Sequence, residues 1–181
     1  DSTPEAAAET AAAELVVFNL ETEDSEVRFI LDEMLRGSLN TVTGRTDQIA
    51  GQIAVDFANP QNSRIGEIRI SARSLRTDNE FRDRAIRGQI LQSAQDEFEF
   101  ISFVPTEMEG LPATVTMGEP FEFTITGDLT IRDITEPATF TVTVTPVSEP
   151  RIEGLATSTV QRTAYGLEIP SVPSVADVDE A

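Results

Sequence analysis

The chain has 181 residues, with 32 acidic side chains against 13 basic ones and a formal net charge of -19. Nucleic acid and anionic membrane surfaces are therefore disfavoured as partners. All the basic residues are arginine, and there is no His, Lys, Cys or Trp. This excludes a Ser-His-Asp triad, a thiol nucleophile, a lysine Schiff base, a zinc site of ordinary type and imidazole ligation of haem or copper.

Carboxylates, hydroxyls, one tyrosine and arginine remain for chemistry. These are the parts of a glycosidase-like carboxylate pair or a calcium site, yet no calcium-loop spacing is present. The Glu and Asp residues alternate along strand-like runs, the pattern of a solvated face. A chain without cysteine leaves the redox compartment open, because a domain of this length builds a core without disulfides.

In chain order, residues 1–14 form an Ala/Glu/Thr/Pro stretch with no apolar run. It reads as a flexible tether downstream of a removed export or lipid-anchor segment, or as a trimmed chain end. No stretch has the apolar length of a membrane-crossing helix. Residues 15–181 are expected to form one domain.

From Leu15 onward β-branched and aromatic residues alternate with polar ones, which predicts antiparallel strands with two unlike faces. Strands are expected over 15–20, 26–35, 39–43, 53–57, 67–70, 97–104, 113–116, 121–131, 139–145 and 153–161. The clearest is 121–131, where Phe121, Phe123, Ile125, Leu129 and Ile131 face one way and Glu122, Thr124, Thr126, Asp128 and Thr130 the other. Gly127 interrupts the apolar row where a wall must bend or another group approach closely. Turns are expected at 23–25, 59–62, 105–110 and 146–150.

One segment breaks the pattern. Thr77 and Glu80 have capping-box spacing, which predicts a short helix over 80–87 that ends near Gly88. Phe81 and Ala85 are expected to face the interior, with Arg82, Asp83, Arg84 and Arg87 outside.

Several ordered landmarks carry a family resemblance. They are Phe18-Asn19-Leu20-Glu21, then Ser25-Glu26-Val27-Arg28-Phe29, Gly44, and Gly51-Gln52-Ile53-Ala54-Val55-Asp56. Next come Ser74-Leu75-Arg76-Thr77-Asp78-Asn79 with Arg82-Asp83, and Phe98-Glu99-Phe100-Ile101-Ser102. Last are Gly127-Asp128-Leu129-Thr130-Ile131-Arg132-Asp133-Ile134-Thr135, Arg162 and Tyr165-Gly166-Leu167. In this order, over roughly 17–175, the chain resembles the YceI-like family of polyisoprenoid-binding, lipocalin-like proteins.

The resemblance implies an all-β fold, an extended antiparallel up-and-down β-barrel of about eight strands. It also implies a periplasmic or extracellular, non-enzymatic protein that encloses a long isoprenoid tail. Three departures stand out. Asp24 occupies a place where the family often has His, and Ala85-Ile86 stands where it often has His-Leu. The chain also runs from Val172 to Ala181 without the family's long closing strand, so that strand is expected to be missing or supplied by another chain.

The expected ligand is a polyprenyl lipid or isoprenoid quinone, gripped by its tail. The expected lining is Val27, Phe29, Ile68, Ile70, Phe98, Phe100, Phe121, Phe123, Ile125, Leu129, Phe140, Val142 and Val144. Arg82, Arg84 and Arg162 are the candidate head-group contacts, and Tyr165 is read as barrel-end packing. No catalytic residue, metal or cofactor is expected, and the partners expected are the lipid and a second copy or strand at an open edge. The alternative is a structural or interaction subunit whose barrel is filled by its own side chains. A hydrolase built on acidic residues has no supporting constellation.

Overall fold

The computed structural model describes residues 14–170, the backbone of 175 and 176, and residue 178. The tether expected over 1–14 falls, except for Glu14, outside the described residues, as does most of the segment after residue 170. The strands are β1 (Leu15–Asn19), β2 (Val27–Leu35), β3 (Ser38–Thr46), β4 (Ile49–Ala50), β5 (Gln52–Asp56) and β6 (Arg64–Ile65). They continue with β7 (Ile68–Ser71), β8 (Phe100–Glu109), β9 (Phe121–Ile131), β10 (Ile134–Ser148), β11 (Arg151–Thr157) and β12 (Val175–Ala176). Among the described residues the one α-helix, α1, is Glu80–Ala85.

All pairings are antiparallel. The strands form a six-stranded sheet, β11-β10-β9-β8-β7-β4, and two three-stranded sheets, β1-β5-β6 and β12-β2-β3. Together they make an all-β, curled antiparallel half-barrel with one short helix, consistent with the lipocalin-like barrel that the resemblance implies.

Period-two patterning sets which side chains meet. Across β9 and β10, Phe121 pairs with Val144, Phe123 with Val142 and Ile125 with Phe140, so aromatic rings and aliphatic side chains share the concave face. Each such cross-strand pair contributes about 0.2–1 kcal/mol. On the convex face Thr126 and Thr139 share a hydroxyl hydrogen bond of 2.9 Å, and Thr130 and Thr135 one of 2.8 Å.

The turn expected at 105–110 lies within β8 up to Glu109, and the one expected at 146–150 begins inside β10 and turns at Glu149 and Pro150. β8 runs through Pro105, which pairs with Gly127 but cannot donate to the ladder, and the register shift after it leaves Thr106 unpaired. Pro146 lies near the end of β10 at a second shift, where its carbonyl accepts from Gly118 N at 2.7 Å. Residues 113–116 form no strand, and β3 is longer than expected mainly at its far end, where its pairing with β2 continues through Gly44 and Arg45 to Thr46.

The segment between β7 and β8 fills one side of the concave face, burying Ala72, Leu75, Ile86 and Leu91 against Phe103, Ile125 and Leu129. In its helix Phe81 and Asp83 exchange the places expected for them, while Arg84 is exposed as expected and Ala85 is half-buried. Asn79, rather than Thr77, is the N-cap, and its side chain accepts from Phe81 N at 2.9 Å and Arg82 N at 3.2 Å. The Thr77 amide and hydroxyl instead both donate to Asp83 Oδ1 at 2.7 Å. That turn draws Asp83 inside at 6% exposure and leaves Phe81 outside at 79%. After Ala85 the chain widens into a π turn, Ile86–Ile90.

Candidate functional site

The concave face is apolar and only partly sealed. Phe123, Ile125, Leu129 and Val142 are buried, and Phe29, Ile68, Phe121, Phe140 and Val144 pack against them while keeping some exposure. Two aromatic contacts order this surface: Phe103 meets Phe140 edge-on at 5.0 Å, and Phe121 stacks on Phe123 at 5.9 Å. Ile70 pairs with Ile101 on the same face, and Val27 pairs with Thr46 at the base of the β2–β3 hairpin; both are half-buried.

Two expected lining residues are elsewhere. Phe100 is on the convex face, 40% exposed, beneath the Arg69 guanidinium at 4.4 Å. Phe98 ends the 3-10 turn Asp96–Phe98, with the Arg132 guanidinium 5.9 Å from its ring. The physical reason is register. Residues 97–104 contain two opposed apolar alternations, and pairing of Phe103 with Leu129 and of Ile101 with Ile70 turns the odd-numbered set inward.

The apolar face extends onto the β1-β5-β6 sheet, which the lining expectation missed. There Val16 pairs with Val55, Phe18 with Ile53 and Ile53 with Ile65, all half-buried, and Phe18 meets Phe57 edge-on at 6.2 Å. Their β-branched alternation was the available signal. Where β4 bends into β5, an open recess of about 500 Å³ is lined by Leu20, Ile49, Ala50 and Gly51, with Asn19, Gln52 and Glu67 among its polar residues. Gly51 fits closely there: a β-carbon would stand 3.1 Å from Leu20 and 3.2 Å from Ile68, and those side chains would have to shift by a few tenths of an ångström.

Of the candidate head-group arginines, Arg82 is committed to Asp78 at 2.7 Å and to buried Glu33 at 3.2 Å. Arg162 donates to the carbonyl oxygens of Leu167 at 3.2 Å and Val178 at 3.5 Å, fastening the last described residue to the turn Arg162–Tyr165. Arg84 is exposed, its guanidinium 5.5 Å from the Phe81 ring. The structure does not bring the three together around one mutual contact. Tyr165 is buried in the core; burial pushes its phenol pKa up and the Glu136 charge adds to the shift, so the group stays protonated at neutral pH. Among the described residues no three His, Cys, Asp or Glu side chains are grouped as metal ligands.

Comparison with known proteins agrees with this geometry. The model of the YceI-like domain matches residues 18–180. The fold is similar to that of a polyisoprenoid binding domain from Saccharophagus degradans implicated in plant cell wall breakdown. The TM-score is 0.60 and the identity 15%, over 85% of this chain and 82% of that one. It is also similar to BcnA of Burkholderia cenocepacia, with TM-score 0.58 and 14% identity over 88% and 93% of the two chains. A Campylobacter jejuni YCEI protein gives TM-score 0.53 and 14% identity over 68% and 70%. No curated protein sequence matches the chain significantly. With the family model spanning the concave strands, the helix and the turn at Tyr165, the chain belongs to the YceI-like domain family.

Proposed function

We propose that this protein binds a long apolar isoprenoid lipid, a polyprenyl chain or the tail of an isoprenoid quinone, along the concave face of the half-barrel, without catalysis. The observation that carries the reading is the continuous concave surface on which Phe29, Ile68, Phe121, Phe140 and Val144 remain partly exposed. Burial of apolar carbon contributes about 0.8 kcal/mol per CH₂, so each five-carbon unit adds roughly 3–4 kcal/mol before ordering costs. A few isoprene units suffice for tight binding, and recognition rests on the tail. A neutral head group is favoured, because Arg82 and Arg162 already have intramolecular partners and the chain carries a charge of -19. The described polyisoprenoid binding relative supports the same ligand class. An extracytoplasmic carrier role is part of this proposal.

Mild purification followed by organic extraction and mass spectrometry tests it. About one isoprenoid per chain is expected. An extract that stays empty after incubation with quinones and polyprenols would favour the interaction-subunit reading. That second reading draws on β11, whose outer edge carries no further strand among the described residues and is a template for strand addition.

A further inference from the structure

The β2–β3 hairpin is stiff within itself. Nine registered pairs run from Val27–Thr46 at its base to Leu35–Ser38 at its tip. The turn is closed by Arg36 and Gly37 at φ of 51° and 81°, the backbone that a two-residue hairpin requires. Such a unit moves as one body.

Its hydrogen-bonded ties to the rest of the molecule sit at its two ends, while between them Phe29 packs against the core and Val42 is buried. At the base, Arg45 and Arg76 exchange backbone hydrogen bonds of 2.9 and 3.0 Å, and the hydroxyls of Thr46 and Ser74 meet at 2.5 Å. Asp24, three residues before Val27, is also paired with Arg151 at 3.3 Å. Beyond Arg45, the outer edge of β3 is joined to no strand among the described residues. Near the tip, Arg82 reaches across from α1 to Glu33 at 3.2 Å, and Asn40 donates to the same oxygen at 2.9 Å. The two-residue β12 meets the opposite edge at Met34 and Leu35.

Glu33 is out of place by patterning. The row Val27, Phe29, Leu31, Glu33, Leu35 is otherwise apolar, and Glu33 is only 7% exposed. A buried ion pair adds little net stability, because the cost of desolvating both charges offsets their attraction. Opening rehydrates both partners, so the pair favours the closed position by only a modest margin, which removal of both charges lowers.

We propose that the hairpin is a hinged wall of the half-barrel, anchored at Arg45–Arg76 and latched by Glu33–Arg82, whose opening admits the apolar ligand. The proposal rests on the isoprenoid-binding reading for its ligand. It assigns Glu33 and Arg82 to control of entry, in place of a head-group contact for Arg82.

The chain has no cysteine, so nitroxide labels at Ser38→Cys and Glu80→Cys, both exposed positions, report the distance from hairpin to helix in the full protein. With the latch intact the pulsed-EPR distance distribution is narrow. In the E33Q/R82Q variant, which removes both charges and shortens the reach from α1, it broadens toward longer distances. Ubiquinone uptake and release then both accelerate by about tenfold, with equilibrium affinity changed far less. A narrow distribution or unchanged rates in that variant would overturn the proposal.

Hydrogen exchange on the unsubstituted protein gives a check independent of variant folding. If the hairpin opens as a unit, its own ladder moves with it and the amides paired between β2 and β3 stay protected; loss of that protection well ahead of β9 would mean that the hairpin unfolds locally and would overturn the hinge. If no isoprenoid binds at all, the ligand reading falls, while the label distances still decide whether the wall opens.

Discussion

Gly127 lies beneath the ring of Phe103 across the β8–β9 pair. A β-carbon on Gly127 would stand 2.7 Å from Phe103 Cζ and 2.5 Å from the Val104 carbonyl oxygen. The gap in the apolar row of β9 is thus the space that lets Phe103 cross over and meet Phe140.

Gly127→Ala is expected to destabilise by about 1–3 kcal/mol, the usual cost of overpacking a filled core. Phe103→Leu in the same chain should recover only part of that loss, because the Val104 backbone oxygen cannot move aside as a ring can. Chemical denaturation of the two single variants and the double variant measures the coupling, and full recovery would assign the whole clash to the ring.

The exchanged places of Phe81 and Asp83 separate two substitutions that a helical-wheel reading would rank the other way. Asp83→Ala leaves the Thr77 amide without its acceptor and the Thr77 hydroxyl with only the Asn79 carbonyl at 3.3 Å, and should cost about 1–3 kcal/mol. Phe81→Ser removes an exposed ring and should stay within about 0.5 kcal/mol of the parent. Urea midpoints at constant slope provide the comparison.

The chain has no tryptophan, so one indole can mark each face of the sheet. Phe121→Trp is expected to report quinone binding by quenching, since Phe121 is on the concave face. Phe100→Trp should stay unquenched, since Phe100 is on the convex face beside Arg69. Equal responses from the two variants would contradict the assigned binding face.

Asp56 gives a pH dependence of definite sign. The Asn59 amide, then the Asn62 side chain, and also the Ala58 amide, hold its carboxyl below the ordinary 3.8, against the opposing pull of burial. A folded pKa below the unfolded one adds stability above the unfolded value, which is lost as pH falls through the folded value. Asp56→Asn should therefore melt earlier than the parent at neutral pH, with the difference closing as pH drops below about 4. A difference that is constant with pH would mean that the charge plays no part.

Local chemistry explains what was legible in the sequence. A missing His, Cys and Lys removes whole mechanisms whatever the fold, and period-two alternation at 121–131 and 139–145 survives as β9 and β10 because one face is buried and the other carries threonines. Ordered short motifs spread along the chain pointed to the family that the domain match shows.

Register, capping and edge pairing were settled only by tertiary contacts. Residues 97–104 offered two apolar rows, and the partners across β7 and β9 selected Ile101 and Phe103 over Phe98 and Phe100. Thr77 carried the capping-box spacing, yet its hydroxyl is satisfied by Asp83, so the helix turned Asp83 inward. Glu33 read as one more solvated carboxylate until the fold set Arg82 against it from 49 residues away. Composition and alternation act through each residue's own preference for water or apolar surroundings, which is written in the chain. Register and pairing depend on which distant group arrives opposite, and that is determined only when the sheet closes on itself.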